Sequence, residues 1–159
     1  MPPVSRPVIA LFNRQRDRPV SLPALRRWIH AALSHLHRDA EIGVHLVDPT
    51  EMARVNWDFL RHEGSTDVIT FDHGSSPDRL HGELFISIAD AVSQAARFHT
   101  DWQEELGRYV VHGLLHLCGE DDLEPAARRR MKRQENQLVR TLAQSIPPAS
   151  LERRRPSHG

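Results

Sequence analysis

His112 and His116 are the residues of this chain whose types and spacing are best suited to chemistry; they lie in the stretch Val111-His112-Gly113-Leu114-Leu115-His116-Leu117-Cys118-Gly119-Glu120-Asp121-Asp122. Two histidines four apart on a helix lie about 40° apart around its axis, so both imidazoles can reach one metal ion. Gly119 follows the last apolar residue and reads as a helix end, where the chain turns through a left-handed conformation. Asp122, just past that turn, can then supply a third ligand. Three protein ligands with a fourth position free distinguish a catalytic zinc site from a structural one, which is usually closed by four. The free position takes a water, whose pKa the ion lowers toward neutrality.

The spacing alone does not carry this reading. With 11 histidines in 159 residues, about 0.7 such pairs arise by chance, and two satisfied structural histidines are the competing explanation. Placement carries more. Counted from Trp102 at about 100° per residue, Leu106, Val110, Gly113 and Leu117 fall within roughly 80° of one another, and the two histidines sit at the edge of that stripe. There a ring is braced by the core while its nitrogen faces a cleft. Cys118 points roughly 200° away from His116 and reads as a packed small hydrophobe, not a ligand. The zinc-protease pattern H-E-x-x-H sets its general base beside the first histidine, a place held here by Gly113, so peptide hydrolysis by that route is disfavoured.

The elements that position the pair follow from periodicity. Val8 to Phe12 reads as a first strand, after which Arg14, Arg16 and Arg18 crowd a loop expected to be a solvated connection. Ser21 caps a helix with Leu22, Leu25, Ile29, Leu33 and Leu36 at three- and four-residue spacing; His30, His35 and His37 on or beside it are expected to be solvated. Ile42 to Val47 alternates as a second strand, stopped by Asp48-Pro49-Thr50, with Thr50 capping the next helix. On that helix Trp57 is expected in the core and not as a base-stacking platform. Gly64 and Ser65 make a polar turn that a phosphate can approach. Val68 to Phe71 and His81 to Ala89 are expected to be neighbouring strands joined by the loop His73 to Asp78. Asp90 opens a helix to about Phe98, Thr100-Asp101 begins the histidine helix at Trp102, and Pro125 opens a last helix to about Leu142, its Arg128, Arg129, Arg130, Lys132 and Arg133 reading as a solvated face.

These pieces together resemble the YbeY family. The pattern H-G-x-L-H-L-x-G with a short polar turn is joined, in order, by the Asn56 to Arg61 helix end, by Ser65-Thr66-Asp67-Val68-Ile69-Thr70-Phe71-Asp72 and by Gly82-Glu83-Leu84-Phe85-Ile86-Ser87, over about residues 42 to 140. The resemblance implies a zinc-dependent, single-strand-specific endoribonuclease of ribosomal RNA maturation and ribosome quality control. It implies one Zn2+ on His112, His116 and Asp122, a catalytic role for Arg61 with His112 and His116, and single-stranded or ribosomal RNA and ribosome-associated partners. Two departures stand out. The family's third histidine is replaced by Asp122, a competent ligand whose charge makes the ion a weaker Lewis acid. An arginine common in the family falls on Leu60, leaving Arg61 or His62 to face a phosphate. The family position of Glu83 implies that it faces the metal cleft, whereas its strand pattern equally allows an outward glutamate.

Length and composition bound the rest. At 159 residues and 39% hydrophobic, the chain suits one compact domain with a real core. Formal net charge is +0, so no global field favours nucleic acid and any RNA affinity comes from local patches. A single cysteine excludes an internal disulfide and suits a reducing compartment, and the apolar run after Pro2, Pro3 and Pro7 is too short for a signal or membrane segment. The expectation is a cytoplasmic, non-membrane α+β protein. Residues 1–146 form one metallohydrolase-like domain, a small mixed sheet of about four strands with about five helices and the histidine helix central. Residues 147–159, with Arg153-Arg154-Arg155 and His158, form a disordered tail. A different class remains: a non-catalytic ribosome-assembly or RNA-binding factor whose metal only ties the helix end to its loop. Hydrolysis of another substrate is a third reading.

Overall fold

Strands of alternating polarity lay one apolar face against helices, and that face decides the layering. The computed structural model describes residues 6–62, 64 and 66–154. Strand β1 (Val8–Asn13) leads to helix α1 (Leu22–Leu36), β2 (Asp39–Val47), α2 (Pro49–Leu60), β3 (Val68–Asp72) and β4 (Arg79–Ser87). Helices α3 (Ile88–Phe98), α4 (Trp102–Leu117) and α5 (Pro125–Ser145) follow, and then a 3-10 turn over Pro148–Leu151. The sheet order is β1-β2-β4-β3, with β1, β2 and β4 parallel and β3 antiparallel to β4. Among the described residues the α+β fold has a four-stranded mixed sheet and five helices, as expected, and β3 and β4 are neighbours.

Ile42, Val44 and Leu46 of β2 and Leu80, Leu84 and Ile86 of β4 are buried beneath the helices. Helix α4 crosses this face and touches α1, α3, α5, β3 and β4. Its Leu106, Val110, Val111 and Leu114 are fully buried. Close approach depends on Gly113, where a Cβ would come 2.6 Å from Leu84 Cδ2. The position after the first histidine therefore points into the core, where no general base could serve. The other sheet face is covered only in part by α2, whose Met52 and Val55 pack with Val47 and Ile69.

Several local expectations are corrected. The cap of α2 is Asp48, whose side chain accepts from Glu51 N at 2.8 Å, with Pro49 inside the first turn; Thr50 is already helical. The cap of α3 is Ser87, accepting from Asp90 N at 3.2 Å, so Ile88 and Ala89 belong to the helix and not to the strand. Trp57 is 46% exposed and lies under Arg61, because only one side of α2 meets the sheet. Arg14 is no merely solvated residue: it forms a salt bridge to Glu51 and touches His45 Nδ1. The expected tail is ordered as far as it is described. Leu151 is fully buried, Val20 bridges Glu152, and Arg153 N donates to Pro19 O. Ser65 and residues 155–159, including Arg155 and His158, lie outside the described residues, as do Pro2 and Pro3. No helix among the described residues is long and apolar enough to cross a membrane.

Candidate metal centre

Helix α4 ends as its sequence suggests. Gly119 adopts φ +97°, its N–H donates to His116 O, and Glu120 N donates to Leu115 O. This paired closure folds the chain back over the last turn. It brings the Glu120 carbonyl to His116 Nδ1 at 3.1 Å and delivers Asp122 toward both rings.

The structure brings His112, His116 and Asp122 together, one ligand atom of each within 4.8 Å of the others. The two Nε2 atoms are 3.1 Å apart, and each lies 3.8 Å from Asp122 Oδ2. A tetrahedral ion with bonds of about 2.0–2.2 Å sets its donors roughly 3.4 Å apart, a spacing bracketed by these distances. The outer ring nitrogens supply the second test. His112 Nδ1 meets Glu135 Oε1 at 2.8 Å, and His116 Nδ1 meets the Glu120 carbonyl. A carboxylate and a carbonyl only accept, so each ring donates from Nδ1, and the tautomer with its single proton there presents Nε2 as an acceptor toward the other ring. Two such acceptors 3.1 Å apart need a cation between them, either a shared proton or a metal ion. The donor set therefore fits a divalent metal ion, with two neutral imidazoles, one carboxylate and open space beyond. All three side chains remain partly exposed, between 28% and 42%.

Glu135 is the residue that sequence reasoning missed. Its side chain is only 4% exposed and accepts from His112, Arg108 at 2.8 Å and Lys132 at 3.0 Å. Burial alone would push its carboxyl up, but the hydrogen bonds from His112, Arg108 and Lys132 outweigh that and hold its pKa at about 2. A signal existed: Met131, Leu138 and Leu142 define the buried stripe of α5, and Glu135 lies on it. An acid on such a stripe needs a partner.

The remaining expected site residues are held by other elements. Arg61 caps the C-terminus of α2 in a left-handed conformation (φ 55°), its guanidinium 5.4 Å from the Trp57 ring centre. His62 is exposed just beyond it. Glu83 lies on the sheet face away from α4, bonded to His45 at 2.8 Å and His73 at 2.9 Å, so it does not join the centre. The His73 hydrogen bond, opposed by burial and aided by His45, holds its carboxyl below the usual range. Cys118 packs against the core, and burial pushes its thiol up. His30, His35 and His37 are exposed.

A family model described as "Endoribonuclease YbeY" matches residues 10–143. Among curated proteins, an "Endoribonuclease YbeY" of Parabacteroides distasonis is 36% identical over 129 residues, covering 77% of this chain and 90% of that protein. One of Bacteroides fragilis is 39% identical over 113 residues, covering 70% and 81%. The solution structure of TM1509 from Thermotoga maritima superposes with a TM-score of 0.67 at 21% identity, covering 96% of this chain and all of that one. At that identity the likeness is one of fold.

Proposed function

The chain belongs to the YbeY family, and from that premise we propose that it is a zinc-dependent endoribonuclease that cuts single-stranded RNA in ribosomal RNA maturation and ribosome quality control. The observation that carries this reading is the convergence of His112 Nε2, His116 Nε2 and an Asp122 carboxylate oxygen within 4.8 Å at a partly exposed helix end. His112, His116 and Asp122 hold the ion, and Glu135 and the Glu120 carbonyl keep both ring protons on Nδ1. Bound there, a divalent ion supplies Lewis acidity toward a phosphate oxygen or an attacking water. Arg61 supplies the cation that offsets charge developing on phosphorus. It stands six residues before Asp67, where the chain returns to the wall beside His112. The activity takes place in the cytoplasm, with the ribosomal subunit as the setting.

Metal content and cleavage of a short unstructured RNA test the assignment. His116→Ala should lose both while keeping the circular dichroism of the metal-free protein; full metal content with undiminished cleavage would overturn it. Arg61→Ala should keep its metal and lose roughly 10²- to 10³-fold in rate, the usual size for a lost charge-stabilising group. An unchanged rate removes Arg61 from the machinery. Zinc that raises the melting temperature of stripped protein without producing cleavage would identify a structural ion in an RNA-binding factor.

A further inference from the structure

A cavity of about 440 Å³ opens beside the metal centre and shares His112 and Asp122 with it. That volume lies within the roughly 300–1,000 Å³ of small-ligand sites. Its walls differ in chemistry. Val68, Phe98, Tyr109 and Met131 make the interior apolar and partly aromatic, while Arg128, Arg129 and Lys132 stand along the α5 side. Two wall groups are not explained by packing. Phe98, at the end of α3, is 61% exposed. The amide oxygen of Gln94, one turn earlier, is shielded from solvent and has no hydrogen-bond partner among the described residues. Such a group calls for a ligand or a water.

We infer that this cavity is a nucleobase subsite. It takes the base of a nucleotide next to the cleaved phosphodiester, with its ring against Phe98, the Gln94 amide turning out of its shielded position to accept a base N–H, and the adjoining phosphate on Arg128 and Arg129. The assignment rests on the nuclease reading and deepens it, because an unstacked base seated beside the ion explains a requirement for single strands. Bases of single-stranded RNA bind by stacking on aromatic side chains, with polar groups reading their edges. A duplex keeps its bases stacked on one another and offers none to such a cavity. The charges agree. Lys132 is committed to Glu135, and Arg128 Nε donates to Asp122 O, but Arg129 has no ion-pair partner among the described residues. Asp67 and Glu105 also line the cavity, so an anion is favoured only along α5 and a neutral ring elsewhere.

A single abasic nucleotide walked through a short unstructured RNA tests this on the zinc-loaded protein, with KM and kcat read at each position. One position beside the cut should raise KM roughly 5- to 100-fold, the usual worth of one base stacked on an aromatic ring. Phe98→Ala should raise KM on intact RNA by a similar factor and add nothing on the RNA abasic at that position, because the stacking partner is already gone. Gln94→Leu should raise KM by a smaller factor while its melting temperature holds or rises, since it removes a buried acceptor that lacks a partner. A wild-type protein insensitive to abasic substitution at every position overturns the subsite, and so do Phe98→Ala and abasic effects that multiply. Cleavage without position sensitivity removes the subsite alone, whereas a wild-type protein that cuts no RNA removes the nuclease reading and the subsite with it.

Discussion

Glu135 holds His112 by Nδ1, the ring nitrogen that faces away from His116 and Asp122. It thereby fixes which nitrogen is free to bind, and it is itself fixed by Arg108 and Lys132. Such outer partners commonly change metal affinity 10- to 100-fold when altered. Glu135→Gln should weaken zinc binding within that range, measured by competition with a chromogenic chelator, because the amide keeps the shape but loses the charge that favours the Nδ1–H tautomer. Unchanged affinity would show that the ring is oriented by packing alone. The cluster of His112, His116 and Asp122 was legible in the sequence because two share one helical turn and the third follows a glycine stop. Glu135 was not, because it reaches His112 across 23 residues and sits among charged neighbours that read as a solvated face. Trp57 is exposed against expectation for a related reason: helical spacing marks an apolar residue without saying whether anything lies opposite it.

Helix α4 must lie close to the sheet and to α1 if its last turn is to present both rings at a fixed height. Gly107 and Gly113 make that approach possible. At Gly107 a Cβ would stand 2.7 Å from Cζ2 of Trp28, a fully buried ring whose Nε1 donates to the carbonyl of the same glycine at 3.1 Å. Alanine in place of a helical glycine ordinarily stabilises by about 1 kcal/mol. Overpacking a rigid core costs about 1–3 kcal/mol, and here it also disturbs a buried hydrogen bond. Gly107→Ala should therefore be net destabilising, seen as a lower urea midpoint with an unchanged slope; a gain in stability would mean that Trp28 moves freely. The elements themselves were legible, since their periods of two and three to four are set by which face is buried. Their starts were less so. Asp48 and Ser87 cap where Thr50 and Asp90 were expected, because several residues near each start can accept from a first-turn N–H and only the tertiary path of the chain selects one.

On the scale of the molecule, the sequence misled most at its C-terminus, where Pro147-Pro148 and an arginine run resemble the end of structure. Those prolines instead turn the chain into a 3-10 segment that lowers Leu151 into the core against α1 and α4. The strand-like residues beyond pair with the loop before α1: Ser21 N donates to Leu151 O, Arg153 N donates to Pro19 O, and Gln103 of α4 reaches Glu152 at 2.9 Å. The segment thus clamps the N-terminal end of the helix whose far end carries His112 and His116. Leu151 is fully buried, so Leu151→Ala should cost about 2–5 kcal/mol through lost burial and the cavity left behind. A tail outside the core would change stability by no more than about 0.5 kcal/mol. Urea unfolding with and without zinc separates a global from a local effect. The variant should unfold earlier in both states by the same amount, leaving the increment contributed by zinc intact, because His112 and His116 lie more than two turns beyond the clamp. If the zinc increment itself shrinks, the terminal segment is positioning the centre as well as closing the core.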